Sequence, residues 1–448
     1  MLTLALLQCG AMGETRVFRS VFRIAGSARV IFLVAVAMRM WVLTQLLPAR
    51  AWEDFYRYSE PTRIAWALAS GYGYSSPWPH TPLAPTAQQP PVYPFLLAGI
   101  FKLTGAYSYS SLLIAVVLNA VLSGVSAVLI LKIGVRSFGT ATGIVAAWIW
   151  ACWLYEAVVA IRLWESTLSA LLLTIALWLL PEMAGSLRLW RWLAFGALAG
   201  IGILCNTTLL AVFPFFWIWL WLRYRRQSRS CGRKLLLSGG VCILMMLPWT
   251  IRNYVVFHRF IPVRDNLGLE MWMGFELGTG NNPEIMFHHL FPKDFPLADP
   301  SEYNRLGEIA FMEAKRRASL ALIRQNPRRY LYLCAWRFLQ FWSAPGDAWP
   351  WVSLLAWLGM FLALRCKKLD GAPYAVVLIL FPAVYYLTHT FPTYRQPIEP
   401  VITLLAAYAV ASGTEWLAEN LKLLDLNGRA RGRNLNRGVR RGFAENAE

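Results

Sequence analysis

The chain has 448 residues, of which 57% are hydrophobic and 15% are charged. Soluble domains carry roughly 25% charged residues, so this chain cannot cover its apolar side chains with polar surface in water. The net charge is +19, but the basic residues stand mostly in short clusters between apolar stretches, which argues against nucleic-acid binding and predicts a protein of the lipid bilayer.

Apolar stretches long enough to cross a bilayer recur along the chain. A crossing needs about 20 apolar residues in a helix, because only a helix satisfies its own backbone hydrogen bonds in hydrocarbon. This length predicts an all-α integral membrane bundle of about ten transmembrane helices, with a range of about nine to twelve. The predicted spans are 30–48, 109–134, 140–160, 166–183, 193–206, 208–222, 234–250, 348–364, 373–390 and 398–413.

The N-terminal segment, residues 1–29, carries several arginines before the first span, 30–48. By the positive-inside rule this segment is cytoplasmic, so residues 49–108 form a long first extracytoplasmic loop. Within that loop, the apolar stretch VYPFLLAGIFKLT (92–104) is too short to cross and predicts a juxtamembrane helix.

Residues 109–250 hold the predicted transmembrane helices two to seven, and residues 347–413 hold helices eight to ten. Between them, residues 251–346 form a long extracytoplasmic loop whose apolar and charged residues alternate at helical spacing, which predicts amphipathic helices. The basic tail, residues 414–448, is cytoplasmic like the N-terminus, and every short basic cluster falls on this same side.

Four stretches resemble a known family. They are SEPTRIAWALASGYGYSSPW (59–78), PTAQQPPVYPFLLAGIFKLTG (85–105), LGLEMWMGFELGTGNNP with EYNRLGEIAFMEAKRRA (267–283 and 302–318), and YRQPIEP (394–400). These stretches and the order of the spans resemble the C-type (GT-C) glycosyltransferases, in the branch of the protein O-mannosyltransferases and the bacterial aminoarabinose transferases. Similar bacterial chains are called glycosyltransferase family 39 proteins.

The resemblance implies a multi-pass protein of the plasma membrane, the inner membrane in bacteria, with an active site that faces the periplasm. It implies a polyprenyl-phosphate-linked sugar as donor and a hydroxyl acceptor on a lipid, a glycan or a protein. The phosphate leaving group needs little protonation, so the chemistry chiefly requires a base for the acceptor hydroxyl and cations for the phosphate. A single base predicts inversion at the anomeric carbon.

The first loop holds three candidates for the base. Glu60 fits the family pattern best, through E-x-x-x-I-A-x-x-L-A-x-G-x-G, whereas mannosyltransferases of the family often carry an adjacent Asp-Glu pair, which here corresponds to Glu53 and Asp54. Two alternatives to Glu60 stay open: Asp54 or Glu53 is the base, or all three carboxylates only solvate a loop.

Arginines on the extracytoplasmic side are candidates for holding the phosphate, since the guanidinium fork matches phosphate oxygens. Arg395 fits the family pattern YR-x-P-I-E-P best, and its alternative is an interfacial arginine that extends to lipid headgroups. The further candidates are Arg252, Arg337, Arg63 and Arg162. The aminoarabinose transferases carry a lysine immediately before the Pro-Pro pair, and Gln89 occupies that position here.

Other residues are candidate contacts for the substrates. Tyr394 and Glu165 stand beside predicted spans, although a carboxylate such as Glu165 is also favoured by the N-terminal dipole of a helix. Glu270, Asn281 and His288 in the long loop suit sugar hydroxyls. Because adjacent histidines without a fitted carboxylate are weak evidence for a metal, no metal ligands and no certain cofactor are assigned, and a divalent cation stays an open alternative.

Two other functions also fit many spans and a large outer loop. One is a lipid-linked sugar flippase or transporter, although the repeated halves typical of transporters are not evident in the sequence. The other is an oligosaccharide polymerase or ligase that uses a polyprenyl-diphosphate donor. The donor that the protein accepts would separate these functions from monosaccharide transfer.

Overall fold

The computed structural model describes residues 24–46, 56–57, 59–78, 81–183, 186, 188–225, 231–276, 300–343, 350–418 and 420. Within these residues the chain is helical, and its β-structure is one isolated bridge between Ser75 and Pro85. The α-helices are numbered in chain order: α1 Ala28–Leu46, α2 Glu60–Ala69, α3 Val92–Thr104, α4 Tyr109–Ser137, α5 Thr140–Cys152, α6 Leu154–Ala160, α7 Ser166–Met183, α8 Leu189–Cys205, α9 Phe213–Tyr224, α10 Cys231–Phe257, α11 Leu267–Glu276, α12 Ser301–Leu306, α13 Glu308–Gln325, α14 Pro327–Trp342, α15 Pro350–Lys367, α16 Ala372–Leu380, α17 Ala383–Leu387 and α18 399–418. Short 3-10 turns span Thr207–Ala211, Lys368–Gly371 and Pro392–Ile398.

The predicted polytopic all-α membrane fold is confirmed. Six helical stretches of the described chain are long and apolar enough to cross a bilayer: Ala28–Gln45, Tyr109–Ser137, Ser166–Met183, Thr207–Tyr224, Cys231–Phe257 and Thr393–Ala418. The bent pair α5 and α6 makes a seventh if it counts as one span. The remaining predicted spans coincide with α15 and with two shorter apolar helices, α8 and the stretch Ala372–Leu387.

Small residues bring the membrane helices together. A methyl group on Gly134 of α4 would overlap the backbone of Gly143 in α5, and one on Gly143 would overlap the backbone of α4 at Leu131 and Val135. Gly196 of α8 meets the carbonyl of Ser238 on α10 in the same way. Apolar burial gives helices little attraction in lipid, so close van der Waals packing at small residues supplies much of it.

The third predicted span, 140–160, is bent by 60° between α5 and α6. The Arg39 guanidinium of α1 donates to two carbonyl oxygens just before the bend, to Trp150 O at 2.8 Å and to Ala151 O at 2.6 Å. Its Nε also donates to Ser123 of α4 at 3.0 Å. A break in a membrane helix frees backbone carbonyls that a neighbour must satisfy, and Arg39 does this.

Candidate active site

Glu60 begins α2, where the dipole of the helix N-terminus favours a carboxylate and Pro61 suits the first turn. Its two carboxylate oxygens have different donors. The indole Nε1 of Trp78 donates to Oε1 at 2.9 Å, and the side-chain amide of Gln89 donates to Oε2. The carboxylate is therefore fixed in one orientation by two residues of the same loop.

The loop that carries Trp78 and Gln89 is tied to distant parts of the chain. Arg252 of α10 donates to the carbonyls of Thr86 at 2.8 Å and Tyr74 at 3.0 Å. The carboxylate of Glu308, at the start of α13, accepts a hydrogen bond of 2.6 Å from the backbone of Ala87. These bonds hold the loop between two helices, so the donors to Glu60 have little freedom to move.

Three carboxylates gather around one arginine at this end of the membrane helices. Arg264 forms an ion pair of 3.3 Å with Glu270 of α11, and it acts electrostatically on both Glu60 and Glu165, which precedes α7. We call Glu60, Glu165, Arg264 and Glu270 the loop cluster. Glu60 and Glu165 are also close enough to repel each other electrostatically.

Burial dominates the ionisation of the loop cluster. It raises the pKa of Glu165 to about 7, and it raises the pKa of Glu60 and of Glu270 above the ordinary value. For Glu60 the Trp78 hydrogen bond, the charge of Arg264 and the Gln89 hydrogen bond all oppose this rise. A carboxylate with a raised pKa is a stronger base, which suits removal of a proton from a hydroxyl group.

His389 and Tyr394 extend the loop cluster towards the start of the last span. The Nδ1 atom of His389 lies 3.0 Å from the Glu270 carboxylate, and its Nε2 atom lies 3.2 Å from the hydroxyl oxygen of Tyr394. The Tyr394 ring stacks on Tyr385, with the ring centres 4.8 Å apart. The stacked rings of Tyr385 and Tyr394 therefore lie beside the carboxylates of the loop cluster.

The predicted phosphate-binding arginines lie in different surroundings. Arg252 binds loop carbonyls as described, and the buried Arg337 of α14 donates to the carbonyls of Gly274 and, at 3.2 Å, of Tyr386. Arg395 is 1% exposed, paired with Glu399 one turn later, and donates to Ser353 of α15 at 3.1 Å. That Arg252, Arg337 or Arg395 contacts a phosphate stays a prediction.

Arg395 belongs to a second group of charges, which lies among the spans. Glu156 of α6 is close enough to Arg39, Arg395 and Glu399 to interact with each of them electrostatically. We call Arg39, Glu156, Arg395 and Glu399 the span cluster. Each of the four is at most 1% exposed.

The remaining predicted residues are of two kinds. Arg63 stands three residues after Glu60 in α2 and is half-buried, and Arg162 is half-buried just before α7. Glu53, Asp54, Asn281 and His288 lie outside the described residues. Within the described part of the chain, no three or more His, Cys, Asp or Glu side chains are grouped to hold a metal ion.

Sequence reasoning did not find Arg264, His389 or the contact of Gln89 with Glu60. Arg264 stands six residues before Glu270 in the sequence, which is a weak signal by itself. Gln89 was visible in the sequence only as the residue that replaces a family lysine. In the structure, the side-chain amide of Gln89 donates a hydrogen bond to the carboxylate of Glu60.

Comparison with protein families gives a match over residues 88–251, to the family described as dolichyl-phosphate-mannose-protein mannosyltransferase. The predicted resemblance is confirmed. The matched residues run from the loop at Gln88 to α10, and so include α3, the bent pair and Glu165. A search of curated proteins finds no match.

Solved structures with similar chain traces include ArnT from Cupriavidus metallidurans bound to undecaprenyl phosphate, at 15% identity and a TM-score of 0.46 over 89% of this chain and 61% of that one. Another is the archaeal oligosaccharyltransferase AglB from Archaeoglobus fulgidus in complex with an inhibitory peptide and a dolichol-phosphate, at 12% identity and a TM-score of 0.47. That match covers 85% of this chain and 50% of the other. The chain thus spans less than two thirds of the length of either protein.

Proposed function

We propose that this protein is an integral-membrane glycosyltransferase that moves one sugar from a polyprenyl-phosphate carrier to a hydroxyl acceptor at the extracytoplasmic face of the plasma membrane. The acceptor is a lipid, a glycan or a protein. The observation that carries the proposal is the carboxylate of Glu60, fixed by Trp78 and Gln89 and placed beside Arg264. The family match over residues 88–251, whose description names a lipid-phosphate sugar, supports the same chemistry.

Glu60 is the proposed base. Its fixed carboxylate removes the proton of the acceptor hydroxyl while the acceptor oxygen attacks the anomeric carbon of the donor sugar. The bond between that carbon and the phosphate oxygen breaks, and the phosphate departs on the carrier lipid as a stable anion. Because the attack is direct, the product has the inverted anomeric configuration.

Arg264 and Arg63 are the proposed cations for the departing phosphate. Arg63 lies on the same side of α2 as Glu60, since residues three apart in a helix are neighbours. Arg264 approaches from the segment between α10 and α11, where it already neutralises carboxylate charge. Fixed guanidinium groups stabilise the charge that develops on the leaving phosphate.

Transfer in membranes tests this proposal. Membranes that contain wild-type protein or Glu60→Gln are given radiolabelled polyprenyl-phosphate mannose, glucose or aminoarabinose, and the label in acceptor fractions is measured. We expect Glu60→Gln to keep donor binding but to transfer at least about 100-fold more slowly, as is usual on removal of a general base. Glu182→Gln, a change at a partly exposed carboxylate paired with Arg136, serves as the matched control.

The same assay separates the alternatives. If Glu60→Gln transfers normally while Asp54→Asn or Glu53→Gln is inactive, the base lies earlier in the first loop. If the wild-type protein moves the lipid-linked sugar across the bilayer without transfer, it is a transporter, and the proposal is wrong. Transfer only from a polyprenyl-diphosphate oligosaccharide would identify a polymerase or ligase instead.

A further inference from the structure

The hydrogen bonds of His389 fix the position of a proton between Glu270 of the loop cluster and Tyr394. Its Nδ1 atom lies 3.0 Å from a carboxylate oxygen of Glu270 and 3.3 Å from the backbone carbonyl oxygen of the same residue. Its Nε2 atom lies 3.2 Å from the phenol oxygen of Tyr394. The His389 side chain is 7% exposed, so water has little access to either ring nitrogen.

Both oxygens at Nδ1 are acceptors, which places a proton on Nδ1. The ring carries no second proton, because burial, together with the charges of Arg337 and Arg264, lowers the pKa of His389 to about 3, against the opposing effect of the hydrogen bond to the Glu270 backbone. The charge of the Glu270 carboxylate is also shared with Arg264 and with the amide of Asn266. The Nε2 atom therefore has a lone pair, and the hydroxyl of Tyr394 donates to it.

A phenol that gives its only proton to His389 presents lone pairs to any other partner. It cannot donate to a phosphate oxygen, which is itself an acceptor, but it can accept from a hydroxyl group. The side chain of Tyr394 is half-buried, and it is close enough to Glu60, Glu270 and Arg264 to interact with their charges. Tyr385 stacks on its ring and Phe391 meets it edge to face, so Tyr394 belongs to a group of aromatic rings, which are side chains of the kind that contact the C–H face of a sugar.

We propose that the phenol oxygen of Tyr394 accepts a hydrogen bond from a hydroxyl group of the transferred sugar, and that His389, held by Glu270, is the positioning residue that orients this phenol. The inference rests on the proposed glycosyl transfer and adds a specificity-determining contact to it. Tyr394 thus recognises the sugar and not the phosphate. The expected donors carry a free hydroxyl at the position that faces Tyr394.

Donor analogues test the direction of this hydrogen bond. The polyprenyl-phosphate sugar that gives most transfer is compared with analogues in which one hydroxyl at a time is replaced by hydrogen or by fluorine, which accepts but does not donate. For wild type, we expect both replacements at one position to raise KM about tenfold, because neither can donate to Tyr394. For Tyr394→Phe, we expect a KM about tenfold higher with the natural donor, a kcat within about twofold, and no further loss with those two analogues.

Three results would overturn the inference. Tyr394→Phe could have the wild-type KM for the donor, or it could change only the KM for the acceptor. The third result is that the wild-type protein has the same KM for every fluorine analogue as for the natural donor. Absence of transfer by the wild-type protein would instead contradict the proposed function itself. A fold defect is recognised by thermal unfolding of Tyr394→Phe, which removes one hydroxyl and should unfold close to wild type.

Nitrogen NMR tests the proton position without any activity. Protein labelled with nitrogen-15 histidine contains five histidines, and the signals of His389 are those lost in His389→Gln. We expect a protonated Nδ1 and an unprotonated Nε2 between about pH 5 and about pH 9, with the Nε2 signal shifted in Tyr394→Phe. A protonated Nε2, or no shift in Tyr394→Phe, would contradict the inference.

Discussion

The loop cluster and the span cluster use the same kinds of charges in different surroundings. In the span cluster every charged residue is at most 1% exposed, and Arg395 and Glu399 pair with each other. In the loop cluster the Arg264 and Glu270 side chains are 21% and 18% exposed, and one arginine serves several carboxylates. Charges enclosed among helices must be matched within the fold, whereas partly accessible charges can exchange their partners for a substrate.

Removal of one charge from the span cluster should have the largest effect on stability. We expect Arg395→Met to lower the free energy of unfolding by about 3–5 kcal/mol, because Glu399 is left buried without its partner. Unfolding of the detergent-solubilised protein measures the change. The double variant Arg395→Met with Glu399→Met should regain much of the loss.

This variant also tests the role that the sequence predicts for Arg395. If Arg395→Met is as stable as wild type but binds the polyprenyl-phosphate donor weakly, Arg395 holds the phosphate, and the contrast between the two clusters fails at this residue.

Substitutions in the loop cluster should lower the transfer activity more than they lower the stability. We expect Arg264→Gln to lower kcat/KM for the donor about 100-fold, because a fixed cation near the leaving phosphate is lost. Thermal unfolding should stay close to that of wild type, since the side chain is partly exposed. Arg264→Lys is the control that keeps the charge without the planar fork, and its activity should lie between the two. Equal activity of all three proteins would exclude Arg264 from the site.

The pH dependence of transfer gives the smallest effect. A base must be unprotonated, so the transfer rate should fall as the pH falls through the pKa of Glu60, which burial raises above the ordinary value of a glutamate. Trp78→Phe removes a hydrogen bond that stabilises the carboxylate, so the fall should begin at a pH higher by roughly half to one unit. Trp221→Phe on an exposed face is the matched control. An unchanged acid limb in Trp78→Phe would argue against Glu60 as the titrating base.

The sequence predicted the membrane helices well because each span must match the thickness of the hydrocarbon and must satisfy its backbone hydrogen bonds within itself. Both requirements can be read from one continuous stretch of residues. The prediction of 30–48 corresponds to Ala28–Leu46, and the short helix predicted over 92–104 is observed as Val92–Thr104. The bend inside the predicted span 140–160 could not be read from its apolar pattern. The carbonyls just before it accept from Arg39, which stands more than 100 residues earlier in the chain.

The candidate site was predictable residue by residue but not as an arrangement. Glu60, Glu165 and Glu270 each drew attention through a motif or a place beside a span. Their association around Arg264 depends on which loops meet at the end of the bundle, and spacing in one sequence carries little of that information. The hydrogen bond between Gln89 and Glu60 is likewise a product of the folded loop.

The contact of Arg39 with the bend bears on how the protein enters the membrane during synthesis. An arginine at the centre of a span costs about 2.5–3.5 kcal/mol on insertion scales, and α1 emerges from the ribosome well before α5. The carbonyls of Trp150 and Ala151 that receive the Arg39 guanidinium come more than 100 residues later. Until α5 has been synthesised, the insertion cost of Arg39 is therefore not offset by these two hydrogen bonds.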